Sequence, residues 1–340
     1  VMNVSTVAAS DLTREVEAAS ATLERKTEDL TMMKINIIKL AMTLMVVAFP
    51  SAMSAQLKEF SLEDLNFGGT NYHNMIPKNM YLAWWGDQLM ELDAEEIMTI
   101  DAKSGKKQTI VCIDDINKAL GVDESGEAKQ TKRIHSLMSA KFPYSEQPLV
   151  LVGNSKQRML YNWQEKKIVW QQDRKGETHS DWNAESRAVA FVKDNQLFVT
   201  DTDNKTRKLT TDGSREIVYG QSVHRDEFGI HKGTFWSNDG QKLAFYRMDQ
   251  SRVTDYPQVN TFTRTAEYEP DKYPMAGMTS HKVTVGVYDL KTDQTVYLKA
   301  GDPTDRYFTN IAWSPDSRLI YMIELNRDQT DFQLNTYDAA

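Results

Sequence analysis

The sequence predicts an all-β fold, a partial β-propeller cut off mid-blade and carrying a short helical insertion. Three observations predict it. A tryptophan unit recurs as WNAESRAVAF at Trp182, WSNDGQKLAF at Trp236 and WSPDSRLIYM at Trp313: Trp, a polar turn with an acid three residues on, then an apolar strand. A hairpin unit recurs as IMTIDAKSGKKQTI, LFVTDTDNKTRKLT and VGVYDLKTDQTVYL, with strands ending at Asp101, Asp201 and Asp289. Fourteen Tyr, twelve Phe and seven Trp suit pleated, half-buried strands.

In chain order, residues 1–31 contain SDLTREVEAASATLERKTEDL, a polar, helix-favouring run. They read as an upstream extension from a start site placed too early. The alternative is a genuine cytoplasmic segment ahead of a signal anchor. Residues 32–55 then read as a signal peptide. Lys34 and Lys39 supply the positive region, 40–49 a short apolar stretch, and small residues end at Ala55 before Gln56. A stretch of ten residues is too short to span a bilayer, which leaves a buried core helix as the bland alternative. The signal reading places the mature protein in the periplasm or outside the cell.

From Gln56 onward the pattern is short strands and turns. The hairpin aspartates are spaced 100 residues apart (101 to 201) and then 88 (201 to 289), so two blades are expected in each gap. MLYNWQEKKIVW (159–170) reads as an intervening hairpin without the Asp. The stretch 109–142 interrupts the strands, and IDDINKALG within it has helical spacing and a glycine stop. The hairpin pattern returns in FQLNTYDAA, with Asp338 following Asp289 by 49 residues. The chain is therefore expected to stop inside a hairpin, with 332–337 lacking a partner strand, and to be an N-terminal piece of a longer protein.

Composition excludes some chemistry. A net charge of −8 argues against a nucleic-acid partner. The single cysteine, Cys112, allows neither an intrachain disulfide nor a cysteine metal cluster, and the six histidines show no metal-ligand spacing. No metal and no cofactor are expected. The G-x-S sequences at Ser155 and Ser222 lack the second glycine of a nucleophile elbow. No catalytic residue is assigned within the chain.

One stretch does suggest chemistry. In HRDEFGIHKGTFWS, Asp226 and Glu227 stand side by side just before a repeat strand. Adjacent acids repel, so a solvated turn is the bland reading. Two carboxylates together also suit a primary ammonium with its three donors.

At these residues the chain resembles the dipeptidyl peptidase IV branch of the prolyl oligopeptidase family. The carriers are NFGGTNYHNMIPKNMYLAWW, HRDEFGIHKGTFWSNDGQKLAFYRMDQSRVTDYP, YPMAGMTSHKVTVGVYDL and IAWSPDSRLIYMIELNRDQ. The resemblance runs from about Phe60 to the end. The resemblance implies that 56–340 is an incomplete N-terminal propeller, eight-bladed when whole, covering the protein's own C-terminal α/β-hydrolase domain. That domain would hold a Ser–Asp–His triad and release Xaa-Pro or Xaa-Ala dipeptides. The resemblance assigns Glu227 and Asp226 to the free amine of a peptide substrate, with Asp226 standing where the family has Glu. It makes Arg158, in NSKQRMLYNW, the nearest candidate for contact with a substrate carbonyl; a solvated loop cation is the bland reading. Arg225 could instead neutralise the acid pair, while His224 and His231 read as turn or packing residues. Homodimerisation of the full-length protein is also implied. A non-catalytic periplasmic propeller that binds proteins or peptides is the competing reading.

Overall fold

The computed structural model describes residues 5–48, 59–77, 79–122 and 132–339, with side chains left out for part of the first helix. It divides into two units, 1–78 and 79–340. In the first, a single helix α1 (Ser5–Ala48) runs through the boundary expected at residue 32. The side chains of the apolar stretch 40–49 and the expected cleavage position after Ala55 lie outside the described residues. No described helix is long and apolar enough to cross a membrane.

Two further helices, α2 (Leu62–Leu65) and α3 (Thr70–Met75), occupy a region where the sequence suggests only strands and turns. The missed signal is Ser61-x-x-Asp64. The Ser61 hydroxyl accepts the Asp64 N–H, and Asp64 accepts the Ser61 N–H, closing a capping box.

The second unit is a succession of antiparallel sheets. The first contains β1 (Tyr81–Trp85), β2 (Gln88–Leu92), β3 (Glu96–Ile100) and β4 (Lys107–Cys112). Helix α4 (Ile113–Ala119) follows directly, stopping before Gly121 at φ +67°. The helical insertion thus begins at Ile113, because 109–112 complete β4. The second sheet is β5 (Leu149–Gly153), β6 (Gln157–Asn162) and β7 (Lys167–Asp173), with a Lys141–Leu151 bridge as a stub of a further strand. The third is β8 (Thr178–Trp182), β9 (Val189–Lys193), β10 (Gln196–Thr200) and β11 (Thr206–Lys208). This is the propeller architecture that the repeats predict.

The fourth sheet departs from the expected spacing. Its strands are β12 (Ile217–Tyr219), β13 (Thr234–Trp236), β14 (Lys242–Asp249), β19 (Lys282–Asp289) and β20 (Gln294–Tyr297). Between β14 and β19 runs an arm of two short ladders, β15 (Asp255–Tyr256) with β18 (Asp271–Lys272) and β16 (Val259–Asn260) with β17 (Glu267–Tyr268). The interval from Asp201 to Asp289 is therefore one blade step lengthened by this arm and by a loop at 220–233, not two blades. The interval from Asp101 to Asp201 does hold two steps.

The fifth sheet is β21 (Arg306–Trp313), β22 (Leu319–Asn326) and β23 (Phe332–Asp338). β23 has a partner, contrary to expectation: it pairs with β22 from Leu325↔Phe332 to Leu319↔Asp338. Its other edge is unpaired among the described residues.

The repeats have physical causes. Asp201 Oδ1 accepts the N–H groups of Asp203 and Lys205, and Asp289 Oδ1 accepts those of Lys291 and Thr292, so each aspartate caps its own turn. Asn162 does the same for Gln164 and Glu165, which explains the hairpin lacking Asp. Two of the three repeat tryptophans join sheets. The Trp236 indole N–H donates to the Asp181 carbonyl at 3.0 Å, and Trp313 to that of Phe235 at 2.9 Å. Each acceptor directly precedes the tryptophan of the repeat before. Three apolar cores fill the spaces between neighbouring sheets: first with second, third with fourth, and fourth with fifth.

Candidate functional site

The acid pair sits where the first strand of the fourth sheet is broken. β14 is continuous, but its partner jumps from β12 to β13. Tyr246 closes the gap with its own backbone. Its carbonyl accepts Gly220 N–H at 3.0 Å, and its N–H donates to the Gly233 carbonyl at 2.9 Å. The intervening residues are expelled as a loop with a pinched neck. Gly233 allows the pinch: a β-carbon there would lie 2.1 Å from the Gln221 carbonyl oxygen.

Within the loop, His224, Arg225 and Asp226 form one left-handed turn, at φ 54°, 58° and 62°. Each such non-glycine residue costs roughly 1–2 kcal/mol, so the turn must be held from outside. Val223 and Ile230 anchor it in the core between the fourth and fifth sheets. Phe228 packs on Tyr307 with ring centroids 5.0 Å apart. His224 is buried among these groups.

Asp226 and Glu227 are not buried with it. Both are exposed, and neither carboxylate forms an ion pair or hydrogen bond with another described residue. Arg225 does not neutralise them. Its Nη1 donates to Asp271 Oδ2 at 2.8 Å, and its guanidinium lies 5.3 Å from the Tyr273 ring centroid. The loop is thus tied to the Tyr-Pro-x-Ala-Gly run (273–277), joining two motifs that the sequence shows only as separate stretches. A cavity of ≈240 Å³ opens beside the turn, lined by His224, Asp226, Lys272 and His281 among others. The Lys272 ammonium is committed elsewhere, donating to the Val253 carbonyl at 2.9 Å.

Arg158 is not the solvated loop cation of the bland reading. It lies on β6 rather than in a loop, and its buried guanidinium pairs with Glu177, which also accepts Arg174 Nε at 2.8 Å. Burial, then the nearby Arg174 charge, pull its pKa down to about 10. The acid pair belongs to the fourth sheet and Arg158 to the second; no hydrogen bond or ion pair among the described residues joins them. His231 is exposed, and the Ser222 hydroxyl donates to the Ile230 carbonyl inside the loop.

Two features were not legible beforehand. His281, 57 residues from His224, approaches it to 2.7 Å. Phe308, on β21, donates its N–H to His224 Nε2 at 3.2 Å. Only the folded sheets bring these groups together.

The arrangement offers two uncompensated carboxylates on a turn anchored by packed neighbours. Among the described residues, no third His, Cys, Asp or Glu completes a metal-ligand group with them. The donor set matches an ammonium, which three hydrogen bonds satisfy, better than a cation needing six or more oxygens.

Residues 152–340 match the model of the dipeptidyl peptidase IV (DPP IV) N-terminal region. The chain belongs to the DPP IV N-terminal region family. Among solved structures it is similar to a "putative dipeptidyl aminopeptidase IV" from Bacteroides ovatus, with 41% identity and a TM-score of 0.70. That match covers 83% of this chain and 38% of the other. The fold is also shared with Porphyromonas gingivalis dipeptidyl peptidase 4, at 20% identity and a TM-score of 0.61, covering 83% of this chain and 40% of that one. A curated relative, "Probable dipeptidyl-aminopeptidase B" of Phaeosphaeria nodorum, is 30% identical over 181 residues. The match spans 48% of this chain and 20% of that relative. The DPP IV N-terminal region seen here is thus a β-propeller, and the chain spans only about a fifth of the curated relative's length.

Proposed function

We propose that this chain is the substrate-anchoring propeller region of an exported serine-type dipeptidyl peptidase. In this reading Glu227, assisted by Asp226, holds the free N-terminal ammonium of a peptide. The observation that carries it is the acid pair itself: exposed, without a cationic partner, and presented on a turn whose backbone strain the surrounding sheets sustain. An amine held there acts as a ruler, leaving two residues before the scissile bond. The bond is cut, in this reading, by a C-terminal α/β-hydrolase domain of the same full-length protein, after proline or alanine. The propeller limits entry to flexible peptides. Export rests on the charged, apolar and small-residue order of 32–55.

The test uses full-length protein recovered from the exported fraction, expected to begin at Gln56. It is assayed on an Xaa-Pro chromogenic substrate and on the N-acetylated counterpart. Charge-assisted hydrogen bonds contribute about 1.5–3 kcal/mol each. Acetylation should therefore lower kcat/KM by roughly 100-fold or more. Cleavage of both substrates within threefold of each other would refute the anchoring role.

A further inference from the structure

The buried imidazoles beside the acid turn serve no purpose in the reading above, yet their geometry is specific. His224 and His281 are 3% and 6% exposed, and His224 Nδ1 stands 2.7 Å from His281 Nε2. The other nitrogen of His224 faces the Phe308 N–H at 3.2 Å. A backbone N–H can only donate, so His224 Nε2 carries the lone pair and its proton sits on Nδ1. That proton is donated to His281 Nε2, which leaves the His281 proton on Nδ1. The hydrogen bonds thus fix one tautomer for both rings.

The surroundings keep the pair neutral. The charges acting on His281 are cations, Arg225 and Arg327, while Tyr307 meets His224 edge-on at 4.9 Å and Phe228 packs beyond it. No carboxylate is among the groups shifting either ring. Burial, then His281, push the pKa of His224 down to about 3; burial, then the two arginines, push His281 down to about 4.

The pair also bridges sheets. Phe308 lies on β21, at the edge away from β22, and Tyr246 on β14 donates its hydroxyl to the Phe308 carbonyl at 3.0 Å. Both backbone groups of Phe308 are therefore satisfied by side chains of the fourth sheet. One of those side chains, His224, opens the left-handed turn that presents Asp226 and Glu227.

We infer that His224 and His281 are positioning residues: a neutral, tautomer-locked imidazole couple that sets where the acid pair stands by tying its turn to the first strand of the next sheet. This inference rests on the amine-anchoring reading. The couple touches no substrate and acts only through the backbone of the turn.

The test has two arms. In the first, the 340-residue chain with labelled histidine is studied by nitrogen NMR. Both rings should show the neutral Nδ1–H tautomer at pH 7 and again at pH 5.5. A neutral Nε2–H signal from His224, or its protonation by pH 5.5, overturns the inference.

In the second arm, full-length protein is assayed on a free-amine substrate and its des-amino analogue, and the ratio of the two kcat/KM values is taken. His224→Phe keeps a ring but loses both hydrogen bonds. It should lower the ratio by about tenfold or more, mainly through KM, because the misplaced carboxylates bind the amine poorly throughout the reaction. His224→Gln can accept from Phe308 and donate to His281, and should keep the ratio within about threefold of the parent. Equal losses on both substrates for His224→Phe would show a purely structural role and overturn the inference.

Glu227→Gln is run alongside. If it collapses the ratio while His224→Phe leaves it intact, the inference fails and the anchoring reading survives. If neither variant moves the ratio, the anchoring reading has failed and the inference with it.

Discussion

Glu227→Gln, in a full-length enzyme carrying this segment, should lower kcat/KM for free-amine substrates by roughly 30- to 1,000-fold. Gln keeps the shape and one acceptor but removes the charge that an ammonium requires. In a cleft closed over by substrate, losing a charged partner costs about 2–4 kcal/mol, which converts to that range. Folding should be unaffected. Glu227 is exposed with ordinary extended backbone, φ −74° and ψ 171°, and removing one of two adjacent like charges relieves repulsion. Asp226→Asn should cost less. Its shorter arm reaches an amine bound at Glu227 through water, and Asn tolerates the left-handed backbone at φ 62°. Steady-state kinetics on folded variants check both. Unchanged kcat/KM for Glu227→Gln would reduce the acids to a solvated turn.

Gly233→Ala should be among the most destabilising single-methyl additions in the molecule. The added carbon would meet the Gln221 carbonyl oxygen at 2.1 Å, nitrogen at 2.3 Å and carbonyl carbon at 2.4 Å. These are backbone atoms at the pinched neck, so no rotamer change relieves them. The neck must open, breaking the paired Tyr246 bonds that close it. A cost of roughly 3 kcal/mol or more is expected, or a Tm lower by about 6–12 °C for a unit of this size. Gly229→Ala is the matched control. It lies in the same loop at φ +73° with nothing within 4 Å of its would-be β-carbon, so only the left-handed backbone penalty of about 1–2 kcal/mol applies. Thermal unfolding of the two variants should separate them clearly; equal losses would contradict the account of the neck.

Much of the fold was legible because its repeats are local. An aspartate that caps its own hairpin must sit at the same strand end each time. A tryptophan that donates to the preceding repeat, as Trp236 and Trp313 do, must sit at the same strand end in consecutive blades, and both patterns survive in linear order. Blade counting failed between Asp201 and Asp289 because spacing cannot distinguish an added blade from an arm and a loop inserted into one blade. The acid pair was legible through its adjacency and its family setting. Its support was not. Gly233 looks like any turn glycine until Gln221 is seen against it, and His224 gives no hint of His281 or Phe308, which only sheet packing brings near. The setting of Arg158 was hidden for the same reason: NSKQR reads as a loop, and the Glu177 partner that draws its guanidinium into the protein comes from another strand connection.

The most direct measurement is a crystal structure of the full-length protein with a non-cleavable Xaa-Pro peptide bound. The account predicts the peptide ammonium within about 3.2 Å of the Glu227 carboxylate, with Asp226 bonded directly or through one water. The His224–His281 and His224–Phe308 contacts should remain unchanged. A peptide whose amine rests elsewhere, with both carboxylates still facing solvent, would contradict it.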